Sequence, residues 1–466
     1  METFIPIYRI KFILKEKIKS VLDNFYLKTT FLKKIKPINS CKKVIWLAEV
    51  GSREFVPRLS QAYELWLKYK VPSIVMHKHF LSKLNSKDFK ETLLIDKSGT
   101  LKCKNRLRYC KLRGSLVAII PEELIVVNNN ISLISAALHK NSLAYTDYIF
   151  GGKDKVLDYV SDKKVKNIDC INPRFNFREI DNFQSKFGIE TTGLGNNNYI
   201  LINDSTCFEY SSFLNEEDLI RELFKNTKKS AKNYLKNIKK EELIAKEDLV
   251  KLIHELINNK IFDNFDIVIR PHPSVDLLKY RDCMKKLLPK DKRIKIIRKG
   301  LAIDNMHKAK IVFHHNCTTG IEAYYANLKN IFNFASQPRK GYSKEAYKKT
   351  PSIGIKKSIE FGENIVKGEI KSSLFNQGNS KTNHKNLFEI IGKKMQNNVR
   401  YKKSKHSNSE NIRLKELFDN DSITNNSTKD RWRYAEKIIK KLELKKDLKH
   451  ITILGNIGVL VGDWNN

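Results

Sequence analysis

A short apolar run, Ile311-Val312-Phe313, passes directly into His314-His315-Asn316-Cys317-Thr318 and then into Thr319-Gly320-Ile321-Glu322-Ala323. An apolar run this short, bounded by polar residues, suits a central strand of a parallel sheet, buried on both faces. Thr319 and Glu322 have the spacing of a capping box. The hydroxyl is expected to accept from a backbone amide of the first turn, and the carboxylate to reach back to the cap. The polar loop then lies at the carboxyl end of a strand and at a helix N-terminus. Open α/β sheets bind ligands in that place, and the unpaired N–H groups of a helix start suit a phosphate. Taken alone, the same residues also fit a helix cap with no further role.

Residues 265–274 repeat the arrangement. An apolar strand ends in Arg270-Pro271-His272-Pro273. The two prolines fix the turn, so Arg270 and His272 are held at the strand's end. In a parallel sheet both strands deliver their polar ends to one edge. That edge would carry an arginine, up to three histidines, two threonine hydroxyls and a helix N-terminus, a set suited to a phosphate leaving group.

Short apolar runs alternate with helical patterns along much of the chain. Strands are expected at 43–50, 72–76, 92–95, 116–120, 145–150 and 167–171, with helices at 54–69 and 131–138. A second series of strands is expected at 199–203, around Ile267, and at 293–297, 311–313 and 330–334, with helices at 228–242 and 249–257. This alternation predicts an α/β protein with parallel sheets covered by helices. Residues 176–197 are polar and contain Gly188, Gly193 and Gly195, and read as a linker. The expected divisions are therefore a basic segment at 1–40, a first domain at 41–175, a linker at 176–197, a second domain at 198–345 and an extension at 346–466. Residues 370–430 of the extension are rich in Asn, Ser and Lys, and a helix is expected at 431–444. Residues 451–461 are apolar, interrupted by glycine, and too short to span a membrane.

The 466 residues include 88 Lys and Arg against 51 Asp and Glu, a formal net charge of +37. Such a balance favours anionic partners: nucleic acid, anionic lipid or a phosphorylated substrate. The excess is largely Lys and comes with many Asn and Ile, a bias that an AT-rich genome also produces, so charge alone does not choose among them. No aromatic and basic nucleic-acid recognition motif is present. The seven Cys are dispersed without a CxxC pair, as expected of reduced thiols in the cytoplasm. Residues 1–40 hold no signal peptide and no apolar run near the ~20 residues of a membrane span. They read either as a basic amphipathic helix on an anionic membrane surface or as a helix packed on the domain.

The pair formed by RPHPS and HHNCTTGIEAYYA resembles the C-terminal half of bacterial surface-carbohydrate biosynthesis proteins. Those are similar to GT-B glycosyltransferases that use CMP-activated sugars of the Kdo or sialic acid type. They are more distantly similar to CDP-glycerol glycerophosphotransferases of wall teichoic acid synthesis. Residues 48–54, Pro121-Glu122-Glu123 and Asn172-Pro173-Arg174-Phe175 fit the same family, so the resemblance spans residues 43–340. It implies two Rossmann-like domains with parallel sheets facing a central cleft. It also implies that Arg270, His272, Asn316, Thr318, Thr319, Gly320 and Glu322 bind the nucleotide.

The implied activity is metal-independent transfer of a sugar from a nucleotide donor to a surface glycan such as capsule or lipopolysaccharide. A CMP-sugar is favoured, with CDP and UDP left open, and no cofactor is implied beyond the donor. The implied partners are a glycan or lipid-linked acceptor and the inner face of the cytoplasmic membrane.

Inverting transfer needs a carboxylate to take the acceptor's proton. The acidic pair Glu122 and Glu123, at a strand end, is the first candidate. In similar proteins glycine often follows such a pair, whereas Leu124 stands here. Glu49 and Glu54 are second choices. Arg53, Arg174 and His315 are further cleft candidates, Arg174 for a sugar carboxylate or phosphate. His307, His314 and His315 lack metal-site spacing, and Asp419-Asn420-Asp421 matches a DxD motif only by letters. An isomerase of the UDP-N-acetylglucosamine 2-epimerase type, a CDP-glycerol-type glycerophosphotransferase and a basic nucleic-acid-binding protein are the alternatives.

Overall fold

The structure is a computed structural model. It describes residues 36–122, 134–135, 137–151, 155–161, 164–189, 198–206, 228–273, 275–298, 300–338, 349–369, 386–396, 407–418, 423, 426–445 and 450–464. Residues 1–35, which carry the amphipathic reading of the N-terminal segment, and half of the helix expected at 131–138 fall outside this set.

Six strands of the first sheet are parallel: β1 (Lys43–Ala48), β2 (Ser73–His77), β3 (Thr92–Asp96), β4 (Leu116–Ile119), β5 (Tyr148–Phe150) and β6 (Lys166–Ile168), in the order β2-β1-β3-β4-β5-β6. Every residue of β2, β3 and β4 is buried, which explains their unbroken apolar runs. Alternation along β1 sends Val44, Trp46 and Ala48 to one face and Ile45 and Leu47 to the other. The Val56–Tyr69 helix covers the first face with Leu59, Ala62 and Trp66. The Lys104–Leu112 helix packs Leu107 and Cys110 into the second.

The second sheet contains β7 (Tyr199–Asn203), β8 (Asp266–Arg270), β9 (Ile294–Ile296), β10 (Ile311–His314) and β11 (Ile331–Asn333), all parallel in the order β11-β10-β7-β8-β9. One face is closed by Leu249, Leu252 and Leu256 of the Lys228–Asn258 helix and by Tyr280 and Met284 of the Leu277–Leu287 helix. The two helices expected at 228–242 and 249–257 are thus one continuous element. The other face, with Leu201, Val268 and Val312, shares a single apolar cluster with Val44, Trp46 and Phe183 of the first half. The two sheets are therefore joined through a dry interface.

Part of the expected linker lies in that interface. Residues Phe177–Phe187 form a helix that buries Phe177, Ile180, Phe183 and Phe187. Tyr63 meets Phe183 and Phe187 edge-on, with ring centroids 5.6 and 5.2 Å away. The four apolar residues recur at helical spacing among polar ones, so mean polarity concealed an amphipathic helix.

The chain then returns to the first domain. The Leu387–Met395 helix lies on the Val56–Tyr69 helix so closely that a Cβ on Gly392 would stand 2.1 Å from the Tyr69 ring. The Asn426–Glu443 helix, expected at 431–444, packs on the Gly51–Phe55 turn. A Cβ on Gly51 would lie 2.7 Å from the amide nitrogen of Ala435. Finally β12 (Ile451–Leu454) and β13 (Gly458–Val461) form an antiparallel hairpin, and β13 pairs antiparallel with β2. The sequence marked these residues only as apolar, because a hairpin that borrows an existing sheet edge needs no core of its own.

Candidate functional site

Three strand ends of the second sheet stand in register: His314 on β10, Asn203 on β7 and Arg270 on β8. His314 is fully buried, and burial pushes its imidazole down to about 3, so the ring is neutral. Its Nδ1 accepts from the Cys317 amide at 3.4 Å. The ring lies under Gly320, where a Cβ would stand 2.4 Å from Cε1. Gly320 is thus explained by this close approach of helix and strand.

The helix that follows runs Thr318–Tyr325, and its N-cap is Cys317 with no side-chain cap bond. The expected capping box is not formed. The helix begins two residues earlier than the Thr319 cap requires. The Thr319 hydroxyl is buried without a partner. Glu322 has turned away to Arg174, whose Nη2 donates to Oε1. A guanidinium offers the carboxylate a charge-assisted bond that a backbone amide cannot match.

Arg270 is 7% exposed and donates from Nη2 to the Gly300 carbonyl at 2.9 Å. Burial pushes its guanidinium down to about 10, with Glu322 opposing and Arg298 adding to the effect. His272 follows it on the proline-fixed turn. Together Asn203, Arg270, His272, Thr318, Thr319 and Glu322 form one wall of a cleft of about 680 Å³. Ser52, Arg53, Pro57 and Arg174 form the facing wall, with Phe177 and Ile180 beside them. Three guanidinium groups, Arg53, Arg174 and Arg270, outnumber the carboxylates of Asp204 and Glu322 and make the lining electropositive, which suits an anionic ligand.

Behind the facing wall lies a buried charge network. Glu122 is 2% exposed and accepts from Arg58 at 2.8 Å, with Arg53 at 3.7 Å and Arg174 at 3.8 Å. It does not line the cleft; it holds two arginines that do. Its neighbour Glu123 lies outside the described residues. Glu54 is also fully buried. Burial raises its carboxyl, but Lys97, Arg58 and Arg53 more than offset this and hold it at about 2. It accepts from the amides of Glu49 at 2.7 Å and Val50 at 3.3 Å, so it braces the turn that carries Arg53. Glu49 pairs with Lys78 and Lys97 at 2.9 Å and with Arg431 at 3.1 Å. Burial opposes its ionisation, and the two lysines hold its carboxyl well below the usual range.

Two sequence candidates stand apart from the cleft. Successive residues of an extended chain point oppositely, so His315 faces away from His314. Its Nε2 lies 3.1 Å from Asp248 of the Lys228–Asn258 helix, and its ring meets Phe334 edge-on at 5.3 Å. Asn316, at φ +44°, exchanges hydrogen bonds with Asn333, accepts from the Ser352 hydroxyl and donates to the Gln337 carbonyl. Both line a separate recess with Ser205 and Thr206. Conversely, Asn203 belongs to the cleft, although its place in the sequence marks only the end of a strand. A polar residue closing an apolar run is the signal that would have found it.

Two α/β sheets of parallel strands with their carboxyl edges at a shared, electropositive cleft define a two-domain, Rossmann-like protein. Among the described residues no group of three or more His, Cys, Asp or Glu is placed to hold a metal ion. No helix among them is long and apolar enough to cross a membrane. No protein-family profile and no curated protein sequence matches the chain.

Solved structures do match. The S. aureus MnaA–UDP co-structure is 12% identical, with a TM-score of 0.40 over 76% of this chain and 91% of that one. A putative UDP-N-acetylglucosamine 2-epimerase from Listeria monocytogenes is 10% identical, with a TM-score of 0.43 over 81% of this chain and 96% of that one. The wall teichoic acid polymerase TagF is 10% identical, with a TM-score of 0.34 over 85% and 100%.

Proposed function

We propose that this protein is a glycosyltransferase of surface polysaccharide synthesis, which moves a sugar from a nucleotide donor, a CMP-sugar first, to a glycan or lipid-linked glycan acceptor. The observation that carries this reading is the convergence of Arg270, His272, Thr318 and Thr319 with Arg53 and Arg174 across one cleft. Donors from both domains surround the space where a leaving phosphate would gather charge, in a site partly shielded from water. The acceptor hydroxyl attacks the anomeric carbon and gives its proton to a carboxylate, Glu123 in this reading, because Glu122 is held by Arg58 behind the cleft wall. The bond from that carbon to the phosphate oxygen breaks, and the nucleotide leaves with the electron pair. Arg270, His272 and the threonine hydroxyls stabilise it without a metal ion.

Calorimetric titration with CMP, CDP, UDP and GDP, followed by a transfer assay with the nucleotide sugar that binds, tests the reading. Binding to none of them would overturn it. Turnover of the nucleotide sugar without an acceptor would favour isomerisation, which needs the same donor site. The charge of +37 supports docking on the anionic inner surface of the cytoplasmic membrane. Sedimentation with anionic and with neutral vesicles checks that part, and equal binding to both would reject it.

A further inference from the structure

Asn203 ends β7 between His314 and Arg270, at the middle of the second sheet. Its side chain is 2% exposed and lines the cleft. Neither Oδ1 nor Nδ2 has a hydrogen-bond partner. Native interiors seldom leave a buried amide wholly unsatisfied, because both of its polar atoms have given up water for nothing. The next residue shows the usual arrangement: the Asp204 carboxylate accepts from the Thr206 hydroxyl at 2.6 Å and the Tyr280 hydroxyl at 2.5 Å. The Asn203 amide is thus an unused donor and acceptor at the strand end where such sheets take ligands.

Its two halves narrow the ligand. A phosphoryl oxygen would accept from Nδ2 but has no hydrogen for Oδ1. The cleft already meets phosphate with Arg270, His272 and the two threonines. A carbohydrate hydroxyl both donates and accepts, and two adjacent hydroxyls on one ring match both atoms of an amide. We propose that Asn203 is a specificity-determining residue that hydrogen-bonds the hydroxyls of a carbohydrate ring adjoining the donor's phosphate. This rests on the nucleotide-sugar reading. The ring is either the ribose or the transferred sugar.

The test is calorimetry on the full chain and its Asn203→Leu variant. The probes are pyrophosphate, CMP, UDP, CMP-N-acetylneuraminic acid and UDP-N-acetylglucosamine. The variant is expected to bind pyrophosphate as the parent does and to bind the preferred nucleotide sugar about tenfold or more weakly. An equal loss with the free nucleotide assigns the ribose; a loss confined to the nucleotide sugar assigns the transferred sugar. The unliganded variant should melt no lower than the parent, since it removes two unpaired buried polar atoms. Should it lack a cooperative transition, Asn203→Ser takes its place. Unchanged affinity for every probe, in a parent that binds them, overturns the role of Asn203 and leaves the nucleotide-sugar reading standing. Equal weakening toward pyrophosphate overturns the assignment to hydroxyls. A parent that binds no nucleotide or nucleotide sugar overturns the reading itself, and this inference with it.

Discussion

Arg174, on the turn that closes the first domain, donates to the carboxylate of Glu322, 148 residues further on in the helix that opens at the cleft. Both side chains are more than nine-tenths buried. Beside them Phe175 stacks on Tyr325 with centroids 5.0 Å apart. The pair ties the two walls together across the ligand space, and the same guanidinium reaches toward Glu122.

Removing Arg174 should therefore cost more than one surface contact. Arg174→Ala strands the Glu322 carboxylate without its cation and takes one of three from Glu122. A loss of about 3–5 kcal/mol is expected in urea unfolding. The double variant Arg174→Ala with Glu322→Ala should recover part of it. A double-mutant cycle with no coupling would show that the pair does not bind the domains together.

Binding and chemistry should separate. His272→Ala and Thr318→Ala should each weaken nucleotide binding by about 1.5–3 kcal/mol, tenfold to a hundredfold. Thr319→Val should weaken it too, yet leave the unliganded protein as stable as before, because that hydroxyl has no partner to lose. Glu123→Gln should spare nucleotide affinity and lower turnover about a hundredfold or more, whereas Glu122→Gln, which loosens Arg53 and Arg174, should weaken nucleotide binding. Full turnover in both Gln variants would move the role to Glu49 or Glu54. Turnover abolished by EDTA and restored by magnesium would show a metal requirement.

Gly320→Ala should disrupt the site from beneath. The new methyl would meet the His314 ring at 2.4 Å, against a rigid strand end. Better helix propensity returns up to about 1 kcal/mol, and overpacking costs about 1–3 kcal/mol, so a net destabilisation is expected. Adding His314→Ala should relieve it. A double variant no more stable than Gly320→Ala alone would remove the steric explanation.

Asp304 should make stability depend on pH. Burial first and Asp181 second push its carboxyl from 3.8 up to about 7, and one of its oxygens has no partner. Gln184, Arg270 and Lys308 also face it. The folded protein then holds this proton more tightly than the unfolded chain does. Its contribution to stability is complete below about pH 4, falls as pH rises, and is lost by about pH 7. Asp304→Asn stays neutral throughout. Its advantage over the parent should grow across that window, by an amount on the order of a few kcal/mol. Parallel unfolding curves at pH 5, 6 and 8 would refute this.

What the sequence could supply was local. Apolar runs such as 311–313 and 199–203 marked the strands, and the prolines around His272 marked a fixed turn at a strand end. Arg53 and Arg174 were legible as cleft candidates, though not that they share Glu122. The capping box at Thr319 and Glu322 was sound as a local pattern, but a cation 148 residues away outbid the backbone for the carboxylate. His315 and His314 look alike in sequence, and only the pleat assigns them to opposite faces. Asn203 was legible only as a polar residue closing an apolar run; that its amide is unsatisfied is a property of the packed neighbourhood and not of the residue.

The hairpin of residues 451–461 bears on when the first domain can be completed. Until β13 arrives, β2 is an edge, with one row of amides and carbonyls open to pairing. During translation that edge emerges early and waits while the second domain is made. The first sheet, made before the second, is thus sealed only after it. A chain cut short before residue 451 would expose a bare strand to any neighbour able to pair with it.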